Sequence, residues 1–596
     1  MGERDSSPYF CEGTEGMGKK ERKQENETLR QIFRVYLWPQ KGRLAVITLL
    51  ILLGVLLGNL SPYLYGKMVD AINAGDLKKL AALIGGYCAV TLTTLGMSLL
   101  EKYLGEICSF KMVHSMKQTL FEKVVYAKTQ AYQQFSLGEY LSRLNGDAES
   151  VIDFFINLIT NIGQITVNLA VSLGFILGIS LRLSSVAIFY LPASFLVSHL
   201  ARKYYKKLAK KQRETEDKQY GFLAEILANH LGVKAFQMER KAMVKYQSIV
   251  EEKYSLVKRS VRLGNVVNTL TSTVQLISSM YIIYISALLI QNGALTLGIM
   301  VSFNTYINVM YTSVSQIWNF HINQQTMLAV AGRIAALLDM ETEEQQQGRI
   351  LSDGAMGLRA KGVSFCYPDG EKLTLQGVEF EISSPGLYGI VGKNGCGKST
   401  LAKLLVGFYQ SDGILELAKH PVKEYSLESL RQAITYIQRD DFFLRDTIQN
   451  NLLLANPHAG WKEIEAVCRQ AGAHDFIMAL PEGYFTIIGE GGSTLSSGQK
   501  QKLSLARALL RDSSVLILDE ITANLDGAAE HQVLKVLAEQ SHQKIILVIS
   551  HKASVTAVCD QVFVLDQGKV IDSGKHEQLL ERCTVYQEIF RQRFDV

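Results

Sequence analysis

The sequence of 596 residues lacks the features that would place it in several common classes of protein. Its formal net charge is only +5, from 62 basic and 57 acidic residues, so it gives no case for nucleic acid as a partner. The eight cysteines are scattered, and no pair has the spacing of zinc ligands. No short apolar core followed by a small-residue cleavage site lies near the start, so no cleavable signal peptide is expected.

The distribution of apolar residues divides the chain into two parts. A length of 596 residues exceeds what one hydrophobic core organises, so at least two domains are expected. Long apolar runs fill the first part, and the remainder has the composition of an ordinary soluble domain. We predict a flexible N-terminal segment over 1–27, a transmembrane domain over 28–340, a linker over 341–356 and a nucleotide-binding domain over 357–596.

Six apolar stretches are long enough to cross a bilayer, which takes about 20 residues as a helix. A single stretch of this kind is also compatible with a buried core helix, but six in one half of the chain favour membrane spans. Few charges fall inside them, so a proton or ion relay has little support. The predicted spans lie near 44–66, 79–101, 154–178, 184–202, 267–291 and 295–320.

The connections between these spans alternate between short and long. The long ones, after the second and fourth spans, are polar and rich in lysine and arginine. By the positive-inside rule, both long loops and both ends of this half face the cytoplasm. We therefore expect the helices to continue well beyond the membrane on that side.

The sixth span is the most polar of the set. Its polar side chains have two interpretations, which the sequence leaves open: hydrogen bonding between helices, or the lining of a substrate cavity. The residues predicted for such a cavity are Asn304, Asn308, Tyr311 and Ser315.

A phosphate-binding loop opens the second half. A short apolar strand over 387–391 leads into a segment that matches G-x-x-x-x-G-K-[ST], and a helical pattern follows. Its glycines let backbone N–H groups turn toward phosphate oxygens, and the helix N-terminus adds partial positive charge. Lys398 is expected to reach the β- and γ-phosphates, and Ser399 to hold Mg²⁺. The predicted ATP-binding residues of this loop are Gly392, Asn394, Gly395, Cys396, Gly397, Lys398, Ser399 and Thr400.

A second apolar strand, over 515–518, ends in the acid pair Asp519 and Glu520. Such a continuous apolar run is typical of a parallel strand covered on both faces, and ligands of parallel sheets bind at the carboxyl ends of the strands. Asp519 is therefore predicted near the magnesium, and Glu520 is predicted to orient or deprotonate the attacking water. An acid pair alone more often marks a surface turn, but behind a phosphate-binding loop it favours catalysis.

The segment from Leu495 to Gln499 reads LSSGQ and resembles the LSGGQ signature of the ATP-binding cassette (ABC) family, with Ser497 where glycine is usual. The resemblance extends along nearly the whole chain. It implies an all-α membrane domain of six transmembrane helices with long cytoplasmic extensions, followed by a P-loop α/β ATP-binding cassette domain. It also implies ATP and Mg²⁺ as cofactors.

The resemblance further implies a second half-transporter chain as partner, because in this family the signature of one subunit completes the ATP site of the other. A homodimer is favoured, since the chain keeps the residues of a working site, although a heterodimer is also consistent. The residues that the resemblance assigns are Tyr367 for stacking on adenine, Ser496, Gly498 and Gln499 for the signature, and His551 for contact with the γ-phosphate.

One position departs from the family's pattern. Arg439 stands where the family has its Q-loop glutamine, and Gln438 precedes it. Either a local shift brings Gln438 to the magnesium and the water, or Arg439 alters coupling; we favour the shift and predict Gln438 as a catalytic and metal-site residue.

Two features resemble exporters. The membrane half precedes the cassette, and residues 486–490 resemble the exporter X-loop, although the chain continues with Gly491 and Gly492 rather than Arg-Gly. The expected coupling helices lie within 129–136 and 225–234.

The predicted function is ATP-driven export of a small molecule, lipid or peptide by alternating access, in a bacterial inner or plasma membrane with the cassette in the cytoplasm. The alternatives are an exporter-shaped importer of a metal chelate and an ATP-gated channel or regulatory subunit.

Overall fold

The computed structural model describes residues 30, 32–179, 181–343, 348–351, 356–368, 370, 372–438 and 441–591. The predicted segment 1–27, half of the predicted linker 341–356 and Arg439 lie outside these residues. The described chain divides into two compact units. One holds the helices up to Val125 together with Phe135–Met340, and the other holds Tyr126–Gln134 together with the chain from Glu341 onward.

The first unit is helical along nearly its whole described length. Its helices, together with the short α4 that belongs to the second unit, are α1 (Lys41–Gly58), α2 (Ser61–Asn73), α3 (Leu77–Val125), α4 (Thr129–Tyr132), α5 (Leu137–Ser142), α6 (Ala148–Ile179), α7 (Leu181–Ala228), α8 (His230–Ala235), α9 (Glu239–Gln291) and α10 (Leu297–Leu338).

Four helical stretches among the described residues are long and apolar enough to cross a membrane: Phe33–Asn73, Leu77–Val125, Leu137–Gly178 and Glu239–Gln291. They contain four of the six predicted spans. The predicted spans 184–202 and 295–320 lie largely in α7 and α10, which are not among these four, so the number six stays a prediction. α3 has 49 residues and is therefore roughly 70 Å long, more than twice the bilayer core, so it extends well beyond a membrane.

Helices α2 and α10 pack against each other at two glycines. A Cβ atom at Gly66 would collide with the carbonyl oxygen of Gly298, so only glycine permits this close approach. The Asp70 carboxylate fixes the crossing, since it accepts hydrogen bonds from Gly298 N at 2.8 Å and from Thr296 Oγ1 at 3.0 Å, at the N-terminus of α10.

The second unit contains two β-sheets. The antiparallel sheet has the order β2-β1-β4-β5, and the larger, mainly parallel sheet has the order β10-β9-β3-β8-β7-β6. The strands are β1 (Leu358–Phe365), β2 (Leu375–Ile382), β3 (Gly386–Val391), β4 (Asp412–Leu417), β5 (His420–Pro421), β6 (Ile434–Ile437), β7 (Val515–Asp519), β8 (Ile545–Ile549), β9 (Gln561–Asp566) and β10 (Lys569–Gly574).

The central strands of the parallel sheet are buried on both faces. Every residue of β3, β7 and β8 is buried, and alternate side chains enter two separate apolar cores. Continuous apolar runs are the expected sequence for such strands. The flanking helices are α11 (Lys398–Leu405), α12 (Leu427–Ala433), α13 (Ile448–Leu453), α14 (Trp461–Gln470), α15 (His474–Met478), α16 (Ser497–Leu510), α17 (Gly527–Gln540), α18 (Ala553–Thr556), α19 (His576–Arg582) and α20 (Thr584–Arg591).

Residues 126–134 belong to the second unit because backbone and side chains tie them to the chain after Glu341. Ala127 forms a β-bridge with Thr342, and Lys128 Nζ lies 2.8 Å from a carboxylate oxygen of Glu341. The short helix α4 is therefore part of the same compact unit as the two sheets.

Candidate nucleotide site

The loop between β3 and α11 requires its glycines. A Cβ atom at Gly392 would collide with the carbonyl oxygen of Leu565, and one at Gly397 would lie 2.6 Å from Leu375 Cδ2. Gly397 also has a φ of 106°, in the left-handed region that favours glycine. Gly395 has a positive φ of 79°, and Asn394 beside it is exposed. The tight turn therefore brings the backbone to the start of α11, as a phosphate-binding loop needs.

Lys398 lies at the first position of α11 and is 7% exposed. Its Nζ donates hydrogen bonds to the carbonyl oxygens of Gly392 at 2.8 Å and Lys393 at 3.0 Å. Burial lowers the pKa of this ammonium group, and the nearby acidic groups of Cys396, Glu520 and Asp519 act in the opposite direction. The lysine therefore shares one electrostatic environment with the acid pair that the sequence analysis singled out.

The other polar residues at the start of α11 lie close to the loop. Ser399 is half-buried and Thr400 is buried. The Cys396 thiol is buried, and burial raises its pKa although Lys398 acts in the opposite direction. Lys398 Nζ lies 4.0 Å from Cys396 Sγ, so a bulky group on this sulfur would occupy the phosphate loop itself.

Tyr367 lies in an aromatic cluster beside α11. Its ring meets Tyr409 edge-on with ring centroids 5.3 Å apart, and its hydroxyl is 3.1 Å from Thr400 Oγ1. Gln133, which follows α4, donates from Nε2 to the Tyr409 hydroxyl at 2.9 Å. A continuous chain of contacts thus joins Gln133 to Tyr367 and to the helix that begins at Lys398.

The acid pair ends strand β7, which lies between β6 and β8. Asp519 is 7% exposed, and its Oδ2 accepts a hydrogen bond of 3.1 Å from the Tyr436 hydroxyl on β6. Burial, followed by the Asp519 charge, strongly raises the pKa of Tyr436, so this group stays a neutral donor. Tyr436 is not among the residues predicted from the sequence; the available signal was a tyrosine two residues before Gln438, flanked by Thr435 and Ile437 in a short strand.

Glu520 follows with a φ of 55°, which is unusual for a residue with a side chain and turns the chain away from the sheet. Its backbone N–H donates to Ile549 O at 3.0 Å, so the turn is fixed to the end of β8. His551 follows β8, and its Nε2 lies 3.6 Å from Glu520 Oε1. The two residues predicted for water activation and for γ-phosphate contact therefore meet at the carboxyl ends of neighbouring strands.

Lys552 anchors the loop that carries His551, and the sequence analysis did not identify it. Its Nζ donates to Thr522 O at 2.7 Å and forms an ion pair with the buried carboxylate of Glu530. Ser554 also bonds to Glu530. This network ties the histidine loop to the segment that follows Glu520.

Ser496 and Gln499 form the N-terminal cap of the 14-residue helix α16. Ser496 Oγ accepts from Gln499 N at 3.2 Å, and Gln499 Oε1 accepts from Ser496 N at 2.9 Å. Ser496 and Ser497 are exposed. A Cβ atom at Gly498 would lie 3.4 Å from Asn524 O, so this end of the helix packs beside the turn after Glu520.

Gln438 is exposed and follows β6 directly. The β6–β7 register pairs Ile437 with Leu518, which places Gln438 at the level of Asp519. Arg439 lies outside the described residues. A little further along, Asp441 pairs with Arg507 of α16, whose guanidinium lies over the Phe442 ring at 4.9 Å.

The donors at this site fit Mg²⁺, which prefers oxygen ligands. The buried Asp519 carboxylate has a neutral hydroxyl as its hydrogen-bond partner, so its negative charge is left for a cation. Ser399 supplies a hydroxyl oxygen in the first turn of α11.

Comparisons with known proteins agree with this geometry. The family model for the ABC transporter transmembrane region matches residues 44–314, and the model for the ABC transporter cassette matches residues 375–523. The chain belongs to the ABC transporter family. One membrane region and one cassette give this transporter the organisation of a half-transporter, and its cassette is that of an ATPase coupled to transport.

Several relatives resemble the transporter over most of its length. An ATP-dependent lipid A-core flippase of Wigglesworthia glossinidia brevipalpis is 29% identical over 85% of this chain and 88% of that protein. A Bacillus subtilis protein, named as a candidate multidrug export ATP-binding/permease protein, is 28% identical over 82% of this chain and 85% of its own length. A solved bacterial Atm1-family ABC exporter with ATP bound has the same fold, with a TM-score of 0.82 and 24% identity over 93% of this chain and 98% of that chain.

The two glycines that follow the predicted X-loop segment 486–490 lie beside Lys500 of α16. Gly491 and Gly492 have positive φ values of 58° and 74°, and Lys500 Nζ of α16 donates to Gly491 O at 3.0 Å. The predicted coupling segment 129–136 contains α4, and the segment 225–234 includes the first residues of α8.

The polar residues of α10 lie in two kinds of surroundings. Tyr311 is buried in the apolar cluster of α6, α9 and α10, whereas Ser315 is exposed. Asn308 Oδ1 accepts a hydrogen bond of 2.9 Å from Gln275 of α9, and Asn308 Nδ2 donates to Asn304 O. At least the Asn308 amide therefore serves helix-to-helix hydrogen bonding, the first of the two interpretations; a substrate cavity stays a prediction.

Proposed function

We propose that the transporter exports an amphipathic, partly polar substrate across a bacterial plasma membrane, and that it works as a homodimer with two shared ATP sites. One observation carries the proposal: Glu520, directly after Asp519 at the end of β7, lies 3.6 Å from His551 Nε2 after β8, and both acids act electrostatically on Lys398. The same chain carries helices that can cross a membrane. All six predicted spans, including 184–202 and 295–320, are part of the proposal.

Dimer formation is supported by two exposed features. The capped N-terminus of α16 presents Ser496 to solvent, where its hydroxyl and the helix dipole can face a phosphate held by a second copy. Three large apolar side chains are exposed here: Leu227 at the end of α7, Leu231 in α8 and Phe236 directly after α8, at 71%, 83% and 79%. Apolar side chains clustered at one helical tip are typical of a docking surface, and the second copy is the proposed occupant.

The proposed roles of the side chains in hydrolysis use their ordinary chemistry. Lys398 would hold the β- and γ-phosphates at the start of α11, while Tyr367 stacks on adenine. Glu520 would accept a proton from the attacking water or orient it, and His551 would contact the γ-phosphate. Mg²⁺, held by Ser399, Asp519 and Gln438, would neutralise charge on the phosphates.

The substrate class rests on the relatives and on α10. One relative is named a lipid A-core flippase and another is named for multidrug export, and a lipid is an amphipathic cargo. Asn304, Asn308, Tyr311 and Ser315 are the proposed lining of the cavity, because their polar groups could meet the polar part of such a molecule.

The Mg-ATPase rate of the chain alone in lipid nanodiscs tests the catalytic part. We expect Glu520→Gln to abolish a measurable wild-type rate, and Glu539→Gln, a change of an exposed carboxylate near the end of α17, to leave it intact. A wild-type rate no higher than that of Glu520→Gln would contradict the homodimer and point to a partner chain of a different sequence.

The direction of transport needs a separate measurement. In inside-out vesicles that contain the transporter, we expect ATP-dependent accumulation of a fluorescent amphipathic dye or movement of a labelled lipid to the lumenal leaflet. ATP-dependent loss of preloaded dye from the same vesicles would instead support an importer. An ATP-dependent ionic current without dye movement would support a channel.

A further inference from the structure

The sheet register brings one tyrosine to the magnesium-binding acid. Strands β6 and β7 are parallel, and Tyr436 pairs with Ile517. Alternate residues of a strand share a face, so Asp519 projects on the same side as Ile517. Two residues of strand rise span about 6.6 Å, which is close to the reach of a tyrosine hydroxyl from its Cα. Neither phenylalanine nor a shorter residue at this position could donate to the carboxylate.

The ring of Tyr436 is held in place from its other side. Its centroid lies 6.3 Å from that of Phe408 at an interplanar angle of 63°. The hydroxyl donates to Asp519 Oδ2 at 3.1 Å, and Asp519 is almost fully buried. A hydrogen bond to one carboxylate oxygen fixes the orientation of the other oxygen. Loss of such a hydrogen-bond partner typically lowers metal affinity by about 10–100-fold.

We infer that Tyr436 is a positioning residue for the divalent cation of the ATP site: its hydroxyl fixes the Asp519 carboxylate in the orientation that binds Mg²⁺ with ATP. The inference rests on the proposed function in one respect, namely that Asp519 binds the cation. Tyr436 lies outside the sequence motifs, on the strand next to the one that ends at Asp519. The inference therefore predicts that the affinity of the ATP site for Mg²⁺ depends on the Tyr436 hydroxyl.

The test is a binding measurement without turnover. Full-length Glu520→Gln transporter in nanodiscs is titrated with Mn²⁺ at saturating ATP, and free Mn²⁺ is counted by electron paramagnetic resonance. ATP affinity in EDTA is measured on the same samples with a fluorescent ATP analogue. Four backgrounds are compared: no further change, Tyr436→Phe, Asp519→Asn, and Tyr388→Phe. Tyr388 is the matched control because it is a buried tyrosine of the same sheet whose hydroxyl donates to Ser384 O at 3.0 Å.

We expect Tyr436→Phe to raise the Mn²⁺ half-saturation concentration about tenfold with unchanged ATP affinity in EDTA, and Tyr388→Phe to change neither. A Tyr436→Phe half-saturation equal to that of Tyr388→Phe would overturn the inference. A loss of ATP affinity in EDTA that accounts for the whole change in Mn²⁺ half-saturation of Tyr436→Phe would also overturn the inference, because Tyr436 would then act through packing. If Asp519→Asn leaves Mn²⁺ binding unchanged, the proposed role of Asp519 in the magnesium site is wrong. If Asp519→Asn weakens Mn²⁺ binding and Tyr436→Phe does not, the magnesium site is supported and only the inference about Tyr436 is wrong.

Discussion

Polar residues stand out in the sequences of both the cassette and the membrane unit, but their surroundings in the structure differ. In the cassette, Lys398 of the phosphate loop and the acid pair Asp519 and Glu520 come from two separate motifs, and both acids act electrostatically on the lysine. In the membrane unit, Asn308 bonds to Gln275 on a neighbouring helix, and Asp70 fixes the N-terminus of α10. Polar residues that converge from distant parts of a chain indicate chemistry, whereas polar residues along one helix also serve packing.

The largest effect is expected from a single methyl group in the phosphate loop. Gly392→Ala places a Cβ against Leu565 O, a backbone atom that has no simple way to move aside. We expect a loss of about 1–3 kcal/mol in unfolding free energy and ATP binding weakened about tenfold or more. Thermal unfolding and a fluorescent ATP analogue measure the two quantities. Gly527→Ala is the control, because its Cβ would meet no atom of the described residues within 4 Å; equal behaviour of the two variants would show that the loop tolerates displacement.

Gln438→Ala tests whether Gln438 acts in the ATP site of the cassette. Gln438 lies at the level of Asp519, and loss of its amide is expected to lower the Mg-ATPase rate about tenfold. Gln376→Ala on the exposed side of β2 should keep the wild-type rate. An unchanged rate in Gln438→Ala would reject its role and turn attention to Arg439.

Chemical modification of Cys396 gives a pH-dependent test of the loop. Burial raises the pKa of this thiol above its ordinary value of 9.0, so between pH 7 and pH 8.5 only a small fraction is thiolate. The maleimide inactivation rate should therefore rise about tenfold per pH unit over this range, and ATP should protect. Inactivation that persists in Cys396→Ser would assign the effect to another cysteine.

The smallest effects are expected in the membrane unit. Loss of the Asn308–Gln275 hydrogen bond should cost about 0.6 kcal/mol, the same for Asn308→Ala and Gln275→Ala. If Asn308 also lines the cavity, only Asn308→Ala should shift the substrate concentration that half-stimulates the ATPase. If both variants change stability and half-stimulating substrate concentration equally, Asn308 is a packing residue and does not line the proposed substrate cavity.

Much of the cassette could be predicted because its chemistry is encoded locally. The strand before Gly392 and the one before Asp519 are continuous apolar runs, and each leads directly into its motif. Tyr436, by contrast, reaches Asp519 across 83 residues of sequence, through a strand pairing that no local pattern specifies. The Gln133–Tyr409 bond likewise joins residues 276 positions apart.

The membrane unit was less predictable for a physical reason. Apolar composition marks the helices that face lipid, and four of the six predicted spans satisfy that criterion among the described residues. Helix α10 carries many polar groups, some of them buried against other helices, so composition alone does not distinguish a span from a packed helix. Close contacts such as Gly66 against Gly298 depend on the register of two distant helices, which the sequence does not display.

In the proposed mechanism, two copies of this chain close around two ATP molecules. Native mass spectrometry of the Glu520→Gln transporter, released from nanodiscs after incubation with MgATP, tests it most directly. We predict a species with two chains and two nucleotides, and its loss when Ser496→Arg is added to block the exposed end of α16. A species with one chain and one nucleotide, unaffected by Ser496→Arg, would contradict the account.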